Sequence, residues 1–194
     1  MKLNELANIR VGLPLIRKKG DIHDDVFYRY QVITLKAFSS SGFLLLNELD
    51  EFIASEELSA NYIAEEGDVL VRLREPNLAV YIDQYSAGLI VPALMAIVKP
   101  KKDMNSKYLT YFINSNSAQR QLKKELQGTT IPMLKTSELA DLKVTIPSIE
   151  TQDKIVSVLD LVNKELELLE ELKNMKTQFK NEILDTILQR GVNQ

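Results

Sequence analysis

The stretch SIETQDKIVSVLDLVNKELELLEELKNMKTQFKNEILDTILQ, residues 148–189, contains neither glycine nor proline. Its apolar residues recur in steps that are almost all three or four, which is the spacing of one face of an α-helix. They are Ile155, Leu159, Val162, Leu166, Leu169, Leu172, Met175, Phe179, Ile183 and Ile187. Such a helix would be about 60 Å long, more than residues 1–147 can be expected to cover. The pattern therefore predicts a coiled-coil helix that packs against a partner helix. The predicted dimerisation residues are Ile155, Leu159, Val162, Leu166, Leu169, Leu172 and Phe179.

The sequence pattern changes at Pro147. Before it, runs of β-branched and aromatic residues are separated by turn signals such as Glu66-Gly67-Asp68. The predicted strands cover residues 28–38, 69–74, 78–82, 89–98 and 143–146. We therefore predict an α+β fold. A β-rich domain with short helices occupies residues 1–147, and one long coiled-coil-forming helix occupies residues 148–194.

Two details of the predicted domain bear on its surface. Strict alternation along residues 69–74 places Val69, Val71 and Leu73 toward the core, and Leu70, Arg72 and Arg74 on the other side. Asn105-Ser106 is a helix-capping signal. A second short helix is expected over residues 117–126, and Gly128 is its stop signal.

Composition limits the classes of function. The chain has one histidine and a net charge of −3. It has no cysteine, so disulfides and thiolate metal sites are excluded and a cytoplasmic protein is expected. No apolar run reaches the roughly 18 residues that cross a membrane. His23 lies in the polar stretch 20–25, expected to be a solvated loop. No nucleophile elbow or phosphate-binding glycine loop is present. We predict no catalytic residue and no metal site.

Several short motifs, taken in order, resemble one known family. The opening Leu3-Asn4-Glu5-Leu6-Ala7 with Gly12, the strand Tyr30-Gln31-Val32-Ile33-Thr34-Leu35 and the strand Glu66-Gly67-Asp68-Val69-Leu70-Val71 come first. The block from Tyr108-Leu109 to Gly128-Thr129-Thr130-Ile131-Pro132 follows. Pro147, Gln152 and Ile155 then match a junction motif, although Ser148 and Thr151 replace its usual proline and glutamate. Together they resemble half of a specificity (S) subunit of type I restriction–modification systems: one target recognition domain and one spacer helix.

The resemblance implies a function for each part. The domain reads one half of a split target in double-stranded DNA, and the helix binds methyltransferase (M) subunits. Those subunits carry S-adenosylmethionine, so no cofactor is expected in this chain. A restriction (R) subunit can join the complex. A homodimer through the helix rebuilds the full arrangement and reads a symmetric bipartite target.

The candidate DNA-binding residues are basic side chains and one glycine-threonine turn. Arginine forks and lysines bind phosphates or base edges, and small residues let a DNA backbone approach closely. The candidates are Arg17, Lys18, Arg72, Arg74, Lys107, Gly128, Thr129, Thr130 and Lys135. Arg120, Lys123 and Lys124 are interpreted as the solvated face of a short helix.

Three alternatives remain open at this point. The chain could be a coiled-coil assembly protein that does not bind DNA. It could be a small nuclease, because Asp141-Leu142-Lys143 has a carboxylate-x-lysine spacing, although no upstream Pro-Asp partner accompanies it. It could also be a spare recognition-domain cassette.

Overall fold

The computed structural model of the chain describes residues 1–23, 27–125 and 133–192. It divides into two compact units, Met1–Asp153 and Lys154–Gln194. The first unit holds six strands and the second holds most of one long helix, so the predicted α+β architecture with a long C-terminal helix is confirmed. The domain boundary between residues 147 and 148 stays a prediction.

The strands of the first unit, within its described residues, form two antiparallel sheets. They are β1 (Ala7–Val11), β2 (Tyr28–Val32), β3 (Asp50–Ala54), β4 (Val69–Arg72), β5 (Ala79–Tyr81) and β6 (Met95–Pro100). The larger sheet has the order β1-β6-β4-β5, and β2 pairs with β3 in a separate two-stranded sheet. The two central strands, β4 and β6, therefore have neighbours on both edges.

The alternation predicted for residues 69–74 is wrong at Leu70. Val69, Leu70 and Val71 are all fully buried, because β4 is a central strand whose two faces are both covered. Leu70 packs in the main core with Ile33, Val80 and Ile97. A continuously apolar strand is typical of this environment. β4 also ends at Arg72, so Arg74 lies beyond the strand.

Other strand predictions are too long. The expected strand 89–98 contains Pro92, and only Met95–Pro100 is a strand. Before it, Ile90 bridges to Val32 of β2 and to Ile63, and thus pairs outside the larger sheet. The expected strands 28–38 and 78–82 shorten to Tyr28–Val32 and Ala79–Tyr81. Residues 143–146 form no strand, because only Lys143 bridges to Lys2.

The α-helices within the described residues are α1 (Leu3–Leu6), α2 (Ser106–Asn114), α3 (Asn116–Glu125), α4 (Thr136–Ala140) and α5 (Ile149–Val192). The predicted cap of α2 is present, because the Asn105 side chain accepts a hydrogen bond from the Tyr108 amide. α3 matches the second predicted helix. Its predicted stop at Gly128 lies outside the described residues.

One side chain closes the outer edge of β5. The Asn114 amide at the end of α2 accepts from the Ala79 N–H and donates to the Ala79 carbonyl, both at 2.8 Å. A side-chain amide thus takes the two hydrogen bonds that another strand would offer at this position. The edge strand β5 is thereby paired on both sides at Ala79.

Two glycines have a clear physical role. A side chain at Gly12 would clash with the backbone of Val91 and Pro92, whose oxygen atoms lie 2.3 Å from the position of a Cβ. Gly67, in the turn before β4, has φ +89°, a left-handed conformation that favours glycine. Both glycines belong to motifs on which the family resemblance rests.

Candidate nucleic-acid interface

Arg72 is a partly buried side chain at the end of β4. Its guanidinium donates to the Leu35 carbonyl at 3.3 Å and to the Glu75 carbonyl at 3.4 Å. Nε is buried without a hydrogen-bond partner, and burial lowers the pKa of the group from its ordinary value. This side chain is therefore engaged with the domain's own backbone rather than displayed on an open sheet face.

Arg74 and Lys135 belong to two segments that pair antiparallel. Arg74 bridges to Met133, and the Leu134 amide donates to the Leu73 carbonyl at 2.7 Å. Arg74 is exposed. Lys135 precedes α4 and its ammonium group pairs with Glu138 at 3.4 Å. Arg72, Arg74 and Lys135 form what we call the strand-end cluster.

The remaining candidates occupy other places. Arg17 and Lys18 lie in a 3₁₀ helix, Leu15–Lys18, beside β3. Arg17 is exposed, whereas Lys18 pairs with Glu56. The Lys107 ammonium on α2 lies 5.6 Å from the Phe43 ring centroid and 5.7 Å from that of Tyr81, which positions it by cation–π contact.

Gly128, Thr129 and Thr130 lie outside the described residues. The structure therefore places Arg72, Arg74 and Lys135 on two segments whose backbones pair, but it holds Arg17, Lys18 and Lys107 on different elements. No comparison tests the DNA role of any of these residues, so each remains a prediction.

Charge is unevenly distributed within the neutral domain. Residues 27–100, which hold β2 to β6, carry five Lys and Arg but ten Asp and Glu. Residues 101–125, which hold α2 and α3, carry six Lys and Arg but two Asp and Glu. The excess positive charge is thus on the helices, where the exposed side chains of α3 include Arg120, Lys123 and Lys124. The candidate residues of the sequence analysis omitted these three, although a local count of charge finds them.

The junction before α5 is an internally hydrogen-bonded structure. Gln152 is fully buried. Its side-chain oxygen accepts from the backbone N–H of Asn105 at 2.9 Å. Its side-chain NH₂ group donates to the backbone carbonyls of Asp103 and Pro147 at 3.2 and 3.0 Å. Gln152 therefore ties the first turn of α5 to the cap of α2.

Ser148 and Thr151, the two departures from the junction motif, act as a pair. The Ser148 hydroxyl accepts from the Thr151 amide at 3.4 Å, and the two hydroxyl oxygens are 2.9 Å apart. A serine at this position caps a helix by binding one of its unpaired N–H groups. The helix start is thus stabilised without the usual proline and glutamate.

Asp68 is a fully buried carboxylate at the start of β4. One oxygen accepts from the Glu65 amide at 3.0 Å and lies 3.9 Å from the Arg10 guanidinium, while the other has no hydrogen-bond partner among the described residues. Burial raises the pKa of Asp68, and the Glu65 amide, Arg10 and Lys99 oppose that rise.

A test of the Asp68 environment is the pH dependence of stability. Because the pKa of Asp68 is raised in the folded state, the folded chain holds this proton more tightly than the unfolded chain. Its contribution to stability is complete below the ordinary pKa and is lost as the pH rises through the folded-state pKa. Asp68→Asn should remove this loss. We expect the free energy of unfolding of the variant, measured in urea relative to wild type, to increase from acid to neutral pH.

Asp103→Asn is the matched control, because Asp103 is exposed. Its difference from wild type should stay nearly constant over the same pH range. If the Asp68→Asn difference is equally flat, the buried carboxylate does not penalise the folded state.

The described residues give little support for a nuclease site, a metal site or a membrane span. Asp141 accepts a hydrogen bond from Lys2 at 2.7 Å, and His23 is exposed. Within residues 1–23, 27–125 and 133–192, no group of three or more His, Cys, Asp or Glu is arranged to hold a metal ion. None of the helices in that same part of the chain has the length and apolar character needed to cross a membrane.

Comparison with known proteins gives consistent matches. A family model described as the type I restriction modification DNA specificity domain matches residues 1–176. The MjaIX specificity subunit of a type I restriction enzyme from Methanocaldococcus jannaschii is 36% identical over 88 residues, which cover 45% of this chain and 18% of the relative.

Two solved structures share the fold. The crystal structure of the HsdS subunit from Thermoanaerobacter tengcongensis matches with a TM-score of 0.67 and 15% identity, over 95% of this chain and 46% of that chain. A chain from a study of complex assembly and conformational transition of the type I R-M system matches with a TM-score of 0.59 and 18% identity, over 87% and 39%. The chain spans less than half the length of each of these relatives.

Proposed function

Because the chain belongs to the type I restriction modification DNA specificity family, we propose that it is the DNA-recognition subunit of a cytoplasmic methyltransferase or restriction complex. The first unit reads the DNA target and the chain itself performs no chemistry. S-adenosylmethionine and the methyl-transfer site belong to the M subunits. The observation that carries this proposal is the family match over residues 1–176, which includes both the sheet domain and part of α5.

The surface of α5 supports self-association. In the single chain, Val162, Leu166, Leu169, Leu172 and Phe179 are all exposed, with exposed fractions between 42% and 63%. Ile155 and Leu159 are half-buried. An exposed apolar stripe of this length is typical of an interface. We propose that a second copy covers it, with the two helices antiparallel around a two-fold axis.

A second apolar strip on α5 is suited to the M subunits. Two residues along an α-helix turn the side-chain direction by about 200°, so Leu168 lies almost opposite Leu166. Leu168 is nevertheless 52% exposed, and Leu161, seven residues earlier, is 72% exposed. The seam with a second copy cannot cover both sides of one helix. We therefore assign the strip of Leu161 and Leu168 to the M subunits. An R subunit is a further possible partner of the complex.

The experiment is co-expression of the chain with M subunits encoded by neighbouring genes, followed by mapping of methylated bases. A two-fold dimer with one recognition domain per copy requires identical half-sites in inverted orientation. We expect a bipartite, symmetric motif. An asymmetric motif would exclude the homodimer while keeping DNA recognition. The absence of any chain-dependent methylation or binding of DNA would favour an assembly role for the coiled coil.

A further inference from the structure

Helix α3 carries three cations on one face. Arg120, Lys123 and Lys124 have the spacing i, i+3 and i+4, which places their side chains side by side on an α-helix. All three are exposed, whereas Ala118 and Leu122 are buried on the opposite side. The buried residues fix which face of α3 meets solvent. We call the three cations the α3 basic face.

Carboxylates lie near one end of the α3 basic face, because Lys124 lines a surface cavity together with Glu138 and Asp141. None of the three side chains of this face forms an ion pair with any residue that the structure describes. Other lysines of the domain do: Lys2, Lys18 and Lys99 each bind a carboxylate. Since residues 101–125 also have a surplus of four positive charges, the local potential around α3 favours an anionic partner.

Along the sequence, α3 and Lys135 of the strand-end cluster lie on either side of residues 126–132. α3 ends at Glu125, directly before residues 126–132, which contain Gly128-Thr129-Thr130. After these residues, Met133 bridges to the exposed Arg74, and Lys135 directly precedes α4. Cations therefore stand at both ends of this segment of the sequence.

We propose that the α3 basic face binds the sugar–phosphate backbone of duplex DNA. This inference rests on the proposed function and adds a contact surface to it. The three side chains extend over about 6 Å of helix axis, while each DNA strand carries one phosphate per about 3.4 Å of duplex axis. Each cation can therefore meet a different phosphate. Such contacts set affinity and orientation but carry no base information.

The test compares two pairs of adjacent lysines in the full-length chain. Lys123→Gln/Lys124→Gln removes two charges from the α3 basic face. Lys101→Gln/Lys102→Gln removes two charges from exposed residues at the other end of the same basic segment. Binding to a mixed-sequence duplex is measured by fluorescence anisotropy between about 50 and 200 mM salt. This probe requires no knowledge of the target.

We expect the first variant to bind on the order of 10- to 100-fold more weakly near 0.1 M salt, with a slope of log affinity against log salt reduced by about two. The control should keep the wild-type slope. Equal slopes for wild type and the α3 variant would overturn the inference and leave the proposed function intact. A wild-type chain that binds no duplex, with or without M subunits, would overturn both.

A chemical measurement on the wild-type chain covers the case in which the variant fails to fold. Lysine acetylation is followed by mass spectrometry with and without the same duplex. Lys123 and Lys124 should be protected by DNA, whereas Lys102 should react at an unchanged rate. Unchanged reactivity of Lys123 and Lys124 under conditions of saturated binding would contradict the proposal.

Discussion

Leu166→Glu is expected to convert the proposed homodimer into a monomer at micromolar concentration. The predicted seam from Ile155 to Phe179 has its midpoint at residue 167, so Leu166 lies close to the two-fold axis of an antiparallel pair. Each substitution occurs twice in a symmetric dimer. Losing a buried leucine and burying a carboxylate would weaken the pair by about 3 kcal/mol per copy. The total of about 6 kcal/mol corresponds to roughly 10⁴-fold in Kd. Size-exclusion chromatography with light scattering measures the result.

Leu161→Glu is the matched control, because it places the same charge at an exposed leucine of α5 that has none of the predicted seam residues three or four positions away. This variant should remain a dimer and lose affinity for M subunits. If both variants are dimers, the predicted seam is wrong. If wild type is monomeric at the same concentration, the homodimer itself is excluded.

Gln152→Ala is expected to lower the free energy of unfolding by about 3 kcal/mol. The substitution leaves the Asn105 amide and the carbonyls of Asp103 and Pro147 without the partners that Gln152 supplies. It also removes side-chain volume at a fully buried position. Unpaired backbone groups away from water are costly, since each loses its hydrogen bond without gaining one to solvent. Urea denaturation followed by circular dichroism gives the measurement.

Gln121→Ala is the control for Gln152→Ala, because Gln121 is also a glutamine whose side chain forms hydrogen bonds to the backbone. Gln121 accepts from the Lys143 amide and donates to the Lys143 carbonyl, but these bonds lie at the surface. Water can replace the missing partner there, so we expect a loss of about 1 kcal/mol. Equal losses for the two variants would contradict the role assigned to Gln152 at the junction.

The sequence predicted the elements whose signals are local. α5 follows from a stripe repeated over ten positions without glycine or proline, and the start of α2 follows from the Asn105 cap. Both depend on hydrogen bonds or side-chain spacing within one segment, which the sequence displays directly. The family was recognised from the order of such segments, and the match over residues 1–176 confirms it.

The elements that depend on tertiary neighbours were predicted less well. Whether Leu70 faces water depends on which residues cover the two faces of the sheet at β4, and alternation alone cannot provide this information. Pro92 divides an apolar run whose first part bridges to β2, since Ile90 pairs with Val32 and only Met95–Pro100 joins the larger sheet. In the candidate interface, Arg72 was placed on an open face, but its guanidinium reaches the Leu35 carbonyl 37 positions away in the sequence.

The Asn114 amide that pairs with Ala79 has a consequence for solubility. Two identical recognition domains tethered by one helix pair would be held at a high effective concentration. Open strand edges at such concentration invite β-sheet pairing between copies, and from there aggregation. Because the Asn114 side chain occupies the edge of β5 at Ala79, a strand from another copy cannot pair there. On this view Asn114 protects the dimer against the wrong kind of self-association and leaves the helix as the surface through which copies meet.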